Sequence, residues 1–239
     1  MELSTYSQKG EKLEKIVIKI SGSLLYPPNL EYILKLKENL INLIKKEFKL
    51  GIVVGGGPLA RAYINTLRNI NDSESILDVI GIESARLNAL SLSIALMPYS
   101  SPKVPKDIIE AIEISNQNLI PVLGGLQPGH STNAVSMILA EALGSKLVIN
   151  MLNGVDGIYT KRPNDNNAKK LFKVSYGEME SLIENMEQIA GSYELLDHVA
   201  FDLIKRSKIR VIFIDGKDPD NVYRRLIKEE KIGSELIPD

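Results

Sequence analysis

Apolar residues along the chain fall into two alternating rhythms. Short runs rich in β-branched residues occur at 15–20 (KIVIKI), 51–54 (GIVV), 119–123 (LIPVL), 146–150 (KLVIN) and 210–214 (RVIFI), and they have the length of buried strands. Between them lie longer stretches at helical spacing, the clearest placing Ile33, Leu36, Leu40, Leu43 and Ile44 on one stripe. Further helices are predicted over about 58–68, 78–96, 105–116, 132–143, 175–186 and 194–207. Strand and helix alternating in this way predict an α/β protein, with a central, mainly parallel sheet and helices on both faces. Residues 1–14 are polar and read as a frayed tail. No repeat of fixed period is present. A Gly-rich turn (NGVDG, 153–157) and a polar loop (161–170) interrupt the pattern. The expected organisation is therefore one domain over 1–239 with two lobes, 15–150 and 151–239.

Glycines cluster where the predicted strands end. The segments are Lys19-Ile20-Ser21-Gly22-Ser23, Gly55-Gly56-Gly57, Gly124-Gly125 with Pro128-Gly129-His130-Ser131-Thr132, and Gly154-Val155-Asp156-Gly157. In a parallel sheet, ligands bind at the carboxyl ends of the strands, and glycine lets the backbone come close to them. A triple glycine before a helix offers N–H groups to an anion, reinforced by the helix N-terminus. Arg61, on that helix, is placed for charge-assisted contact with a phosphate. Lys19 lies in an apolar strand, where it is either functional or an edge lysine reaching to solvent. Any one glycine turn can be a turn and nothing more; four at four strand ends describe a polyphosphate-sized site. Walker A, G-x-G-x-x-G after a strand, the protein-kinase signature set and a G-x-S-x-G elbow are all missing from the sequence.

Composition narrows the chemistry further. Zero cysteines among 239 residues exclude disulfides, thiolate metal sites and cysteine nucleophiles. The only histidines, His130 and His198, leave little for a zinc site, and no protein metal ligands are expected. Lys+Arg at 29 against Asp+Glu at 30 gives a net charge of −1, which argues against a nucleic-acid polymer as the main partner. No apolar run is expected to reach the ~20 residues of a membrane span. The polar N-terminus lacks a signal-peptide core, so the expected compartment is the cytoplasm.

These motifs, in this order, resemble the amino acid kinase superfamily, and most closely its archaeal-type UMP kinases. The resemblance rests on KISGS (19–23), GIVVGGGPLARAYI (51–64), LDVIGIESARLNA (77–89), GGLQPGHSTNAV (124–135), GVDGIYTKRP (154–163), GSYELLDHVA (191–200) and RSKIRVIFID (206–215). It implies an α/β/α sandwich of the acetylglutamate kinase type and transfer of the γ-phosphoryl group of ATP to UMP, with Mg²⁺ accompanying the nucleotide. It further implies catalytic roles for Lys19 and Arg61. On the donor side it points to Lys19, Ser21, Gly22, Ser23, Gly57 and Arg61, with Asn153, Tyr159 and Arg162 in the second lobe. On the UMP side it points to Gly56, Arg61 and Asp78, and to Leu126, Gln127, Pro128, Gly129, His130, Ser131 and Thr132. Asp78 would meet the ribose hydroxyls; read from the residues alone, it is equally a helix N-cap. The resemblance also implies a homo-oligomer, a hexamer built as a trimer of dimers, for which the 33–48 helix is an interface candidate or simply core.

The chain departs from the pattern mainly on the donor side. Where relatives read like TNVDGVYxxDP, residues 153–163 read NGVDGIYTKRP. Asn153 replaces a threonine, Gly154 an asparagine, and Arg162 an aspartate, reversing the local charge. Arg162 either contacts a donor phosphate or is a solvated loop arginine. Asn133 stands for an aspartate, Asp202 for a lysine and His198 for a proline. Two readings follow: an active kinase that holds ATP differently, or a paralogue that binds nucleotide for storage or regulation. A kinase for another small phosphate or carboxylate is the remaining alternative.

Overall fold

The computed structural model describes residues 14–187 and 195–239. The expected tail, apart from Glu14, and the expected helix start at Glu194 lie outside the described residues. The chain opens with β1 (Lys15–Ile20), α1 (Leu30–Lys45), β2 (Lys49–Val54), α2 (Gly57–Leu67), α3 (Glu74–Leu96), α4 (Ile108–Asn116) and β3 (Val122–Leu123). It continues with α5 (Thr132–Leu143), β4 (Leu147–Leu152), β5 (Ile158–Tyr159), β6 (Lys170–Leu171), β7 (Lys173–Ser175) and α6 (Tyr176–Glu187). It closes with α7 (His198–Ser207), β8 (Arg210–Asp215), α8 (Asp220–Leu226) and β9 (Ser234–Ile237). Among the described residues these strands build a seven-stranded sheet in the order β3-β2-β1-β4-β8-β9-β7, and β5 and β6 form a separate hairpin. All neighbours in the sheet run parallel except β8 and β9.

The alternation of side chains along each strand sorts the core into two layers. Val17, Val53, Val148, Val211 and Phe213 face α5 and α7, where they meet Val135, Met137, Ala200 and Ile204. Ile16, Ile18, Ile20, Ile52, Ile149 and Ile212 face the other way, onto Leu36, Leu40 and Leu43 of α1 and Leu92 and Leu96 of α3. The predicted stripe on α1 is thus core. Lys19 and Asn150 stand opposite each other on β1 and β4, on the α5 side.

Several boundaries move for local reasons. The predicted LIPVL strand shrinks to two residues, because Pro121 has no N–H to give the ladder. The helix expected from 105 begins after Asp107, whose carboxylate accepts from the Glu110 N–H as N-cap. The expected helix over 78–96 starts a turn earlier, so Asp78 is no N-cap and lies inside α3. The short β5, β6, β7, α8 and β9 carry too few residues to show a period. Contrary to expectation, one described helix, α3, is long and apolar enough to cross a membrane. Its apolarity has another use here. Leu77, Ala85, Ala89, Leu92 and Leu96 are buried in the protein, while Ile76, Val79, Leu87 and Ile94 are exposed on the opposite side.

Candidate active site

Two glycine turns meet main chain to main chain where β1 and β2 end. A Cβ on Gly22 would lie 2.1 Å from the Gly55 carbonyl oxygen and 2.5 Å from the Gly57 nitrogen. Gly57 itself has φ +63° at the start of α2, a conformation that side chains strain. The close approach leaves backbone N–H groups at the mouth of a helix, where they can receive phosphate oxygens. Asn88 of α3 secures this floor: its Nδ2 donates to the Gly55 carbonyl at 2.9 Å and to that of Gly56 at 3.3 Å. Across the junction, Arg61 Nη2 donates to Ser23 Oγ at 3.3 Å, joining the arginine on α2 to the turn after β1. The backbone N–H of Ser21 belongs to the sheet, donating to the Met151 carbonyl at 3.0 Å.

Lys19 is buried at the end of β1. Burial pulls its ammonium down from 10.5 to about 8, partly countered by the nearby Asp197 carboxylate. Asp197 immediately precedes α7. Its Oδ1 caps that helix by accepting from the Ala200 N–H at 2.9 Å, and its Oδ2 accepts from the Ser131 hydroxyl. Ser131 in turn caps α5, its Oγ accepting from the Ala134 N–H at 3.0 Å. So Ser131, expected on the acceptor side, turns toward Asp197. Behind it, Asn133 Nδ2 donates to the Leu195 carbonyl at 3.3 Å, and Asn150 Nδ2 donates to Asn133 Oδ1 at 3.2 Å.

Beside the junction, a cavity of ≈ 270 Å³ opens between α2, α3 and the loop before α5. Gly56, Gly57, Arg61, Asp78, Gln127, His130 and Thr132 line it, together with Ala60, Gly81, Ile82, Ala85 and Gly125. Asp78 projects from α3 and its Oδ2 accepts from the Gly129 N–H at 2.8 Å, holding the loop against the helix. Gln127 Nε2 lies 2.9 Å from His130 Nδ1 on the rim. Pro128 and Gly129 are exposed, and Leu126 packs its side chain on the core below. Of the residues expected around an acceptor, the structure gathers Gly56, Arg61, Asp78, Gln127, His130 and Thr132 into this one cavity.

The expected donor residues of the second lobe stand apart from it. Tyr159 donates its hydroxyl to Asp156 Oδ1 at 2.7 Å, and Lys170 pairs with the other oxygen of that carboxylate at 2.7 Å. Asp215 closes the turn after β4, accepting from the N–H groups of Gly154 and Lys217, each at 2.9 Å. Asn153 and Arg162 are exposed, and the Arg162 guanidinium has no hydrogen bond among the described residues. His198 opens α7 and Asp202 lies on its solvent face, 3.7 Å from Lys205. Asn88, Asp197 and Asn150 escaped the sequence reading. Asn150 stands as a polar residue in an otherwise apolar buried strand, whereas Asp197 lies outside any period, as the N-cap of α7.

A parallel α/β sheet with glycine turns at its strand ends, a buried lysine and an arginine-lined cavity defines a phosphate-handling fold. The chain belongs to the amino acid kinase family, which it matches over residues 14–215. It is 45% identical to a uridylate kinase of Aeropyrum pernix over 92% of this chain and 97% of that one. It is 39% identical to a uridylate kinase of Hyperthermus butylicus over 92% of this chain and 96% of that one. The crystal structure of uridylate kinase from Archaeoglobus fulgidus superimposes with a TM-score of 0.82 at 34% identity, covering 93% of this chain and 99% of that one.

Proposed function

We propose that this chain is an ATP:UMP phosphotransferase that forms UDP and ADP. The observation that carries the reading is the meeting of the acceptor cavity with the buried Lys19 strand end at the Gly22–Gly57 contact. A nucleoside monophosphate is mostly dianionic at neutral pH, so its attack on the γ-phosphorus needs no strong general base. What it needs is two anions held in line and a fixed positive field around the transferring group. Arg61 takes the acceptor phosphate, its reach across to Ser23 placing the guanidinium over the junction. Lys19 bears on the transferring oxygens from below. Asp78 receives the ribose hydroxyls by exchanging its Gly129 N–H partner for them. The Gln127–His130 rim covers the base.

Mg²⁺ travels with the donor and, when bound, neutralises charge between its phosphates. Among the described residues no three carboxylate or imidazole groups cluster to hold a metal, which fits an ion carried by phosphate oxygens and water. On the donor side, Ser21, Gly22, Ser23 and Gly57 receive phosphates, and Asn153, Tyr159 and Arg162 border the nucleotide. Arg162, exposed and without a hydrogen-bonding partner among the described residues, is open to a donor phosphate. The two-lobe division, cytoplasmic location and a place in pyrimidine nucleotide synthesis belong to the same reading. So does a homo-oligomer, a hexamer built of dimers, supported by the exposed apolar stripe on α3. ADP release measured with UMP, CMP, dUMP and AMP as acceptors tests the proposal. Turnover with UMP above the others is expected; UMP binding without turnover on any acceptor would favour a nucleotide-binding paralogue instead.

A further inference from the structure

We propose that Asn150 is a positioning residue of this site, its unpartnered Oδ1 being the acceptor toward which the Lys19 ammonium turns as it is aimed at the phosphate junction. The orientation of its amide follows from a chain of one-way contacts. The Leu195 carbonyl can only accept, so Asn133 must present Nδ2 to it, at 3.3 Å, and turn Oδ1 inward. That oxygen receives Asn150 Nδ2 at 3.2 Å, which leaves Asn150 Oδ1 pointing away from Asn133. Asn150 is fully buried, and this oxygen has no hydrogen-bond partner. A buried carbonyl oxygen is costly to leave unpaired.

The missing donor stands across the ladder. Lys19 is the β1 residue in register with Asn150, on the same face of the sheet. Its ammonium carries three donors and makes no hydrogen bond among the described residues, while Asp197, the carboxylate that acts on it, is engaged by Ser131 and the Ala200 N–H. Ser131 and Asn133, also on this side, are neutral and already partnered. An acceptor without a donor thus sits beside a donor without an acceptor. The neutrality of the amide matters: it aims the ammonium without cancelling its charge, which stays available to an incoming phosphate. The inference rests on the reading of Lys19 as the cation of phosphoryl transfer.

The test reads the Lys19 amine directly, in the full chain without substrate. Trace acylation with acetic acid N-hydroxysuccinimide ester, followed by peptide mass mapping, gives the Lys19 rate relative to exposed Lys208. Only the unprotonated amine reacts, so loss of the acceptor in Asn150→Leu is expected to speed Lys19 labelling several-fold. Asn150→Asp, of the same shape but charged, is expected to slow it. Rates unchanged in both variants, or moved in the same direction in both, overturn the proposal. If Asn150→Leu fails to fold, the slowed labelling expected of Asn150→Asp still decides it. In the UMP kinase assay, Asn150→Leu is expected to lose about ten- to a hundredfold in kcat with KM for ATP and UMP within about twofold. Full activity of Lys19→Ala alongside the opposed labelling shifts would remove the role of Lys19 and leave its contact with Asn150 standing.

Discussion

At the scale of single residues, Lys19 sets the pH behaviour. Its folded-state value of about 8 lies below the ordinary 10.5, so the folded chain releases the proton first as pH rises. Between those two values the unfolded chain holds the extra proton, and the contribution of Lys19 to stability rises with pH. Activity follows the opposite sign, because transfer needs the ammonium. The pH profile of kcat/KM should therefore fall on its basic side near pH 8. The kcat profile should fall at higher pH, since bound phosphates favour the charged form. Lys19→Ala should remove the basic limb and lower kcat by about a hundredfold or more, with an unchanged circular dichroism spectrum. Asp78→Asn keeps the shape but loses a charged acceptor, so KM for UMP should rise about tenfold while KM for ATP holds. Lys19, Arg61 and Asp78 were legible in the sequence, as charges set against glycine turns or in a recognisable motif. Asn150 and Asp197 were not, because their partners reach them only through the packing of α5 and α7 on the sheet.

At the scale of elements, α3 carries a double load. Its inner side holds the glycine floor through Asn88 and packs Ala85 and Ala89 in the interior, and its N-terminal half supplies Asp78 to the cavity. Asn88→Ala leaves two carbonyls at the floor without their side-chain donor, a loss of roughly 1–3 kcal/mol. Urea unfolding should register that loss as a lower midpoint with an unchanged slope. Long elements such as α1 and α5 announced themselves by period, and β1 matched its apolar run residue for residue. β3 showed as an apolar run but is cut short by Pro121, whereas β9 was not legible and becomes a strand only because β7 and β8 lie on either side of it.

At the scale of the whole molecule, the seven-stranded sheet runs without a break, with β4 at its middle and β1 beside it, between β2 and β4. Met151, where the two lobes were expected to part, is buried inside β4 and pairs with both Ile20 and Ile214. Outside this body, Ile76, Leu87 and Ile94 of α3 present an apolar stripe to solvent, flanked by the half-buried Ile80 and Leu90. Charges placed there, as Leu87→Lys with Ile94→Lys, should reduce the mass seen by sedimentation velocity while the helix content stays the same. The glycine contact beneath the site has a consequence for how such a protein can diverge. On the proposed reading, the span between donor and acceptor phosphates is set by the thickness of two main chains pressed together at Gly22 and Gly55–Gly57, a gauge that substitutions away from these glycines leave unchanged. On the same reading, drift in acceptor preference falls to the far wall of the cavity, at Asp78, Gln127 and His130, and leaves the geometry of transfer undisturbed.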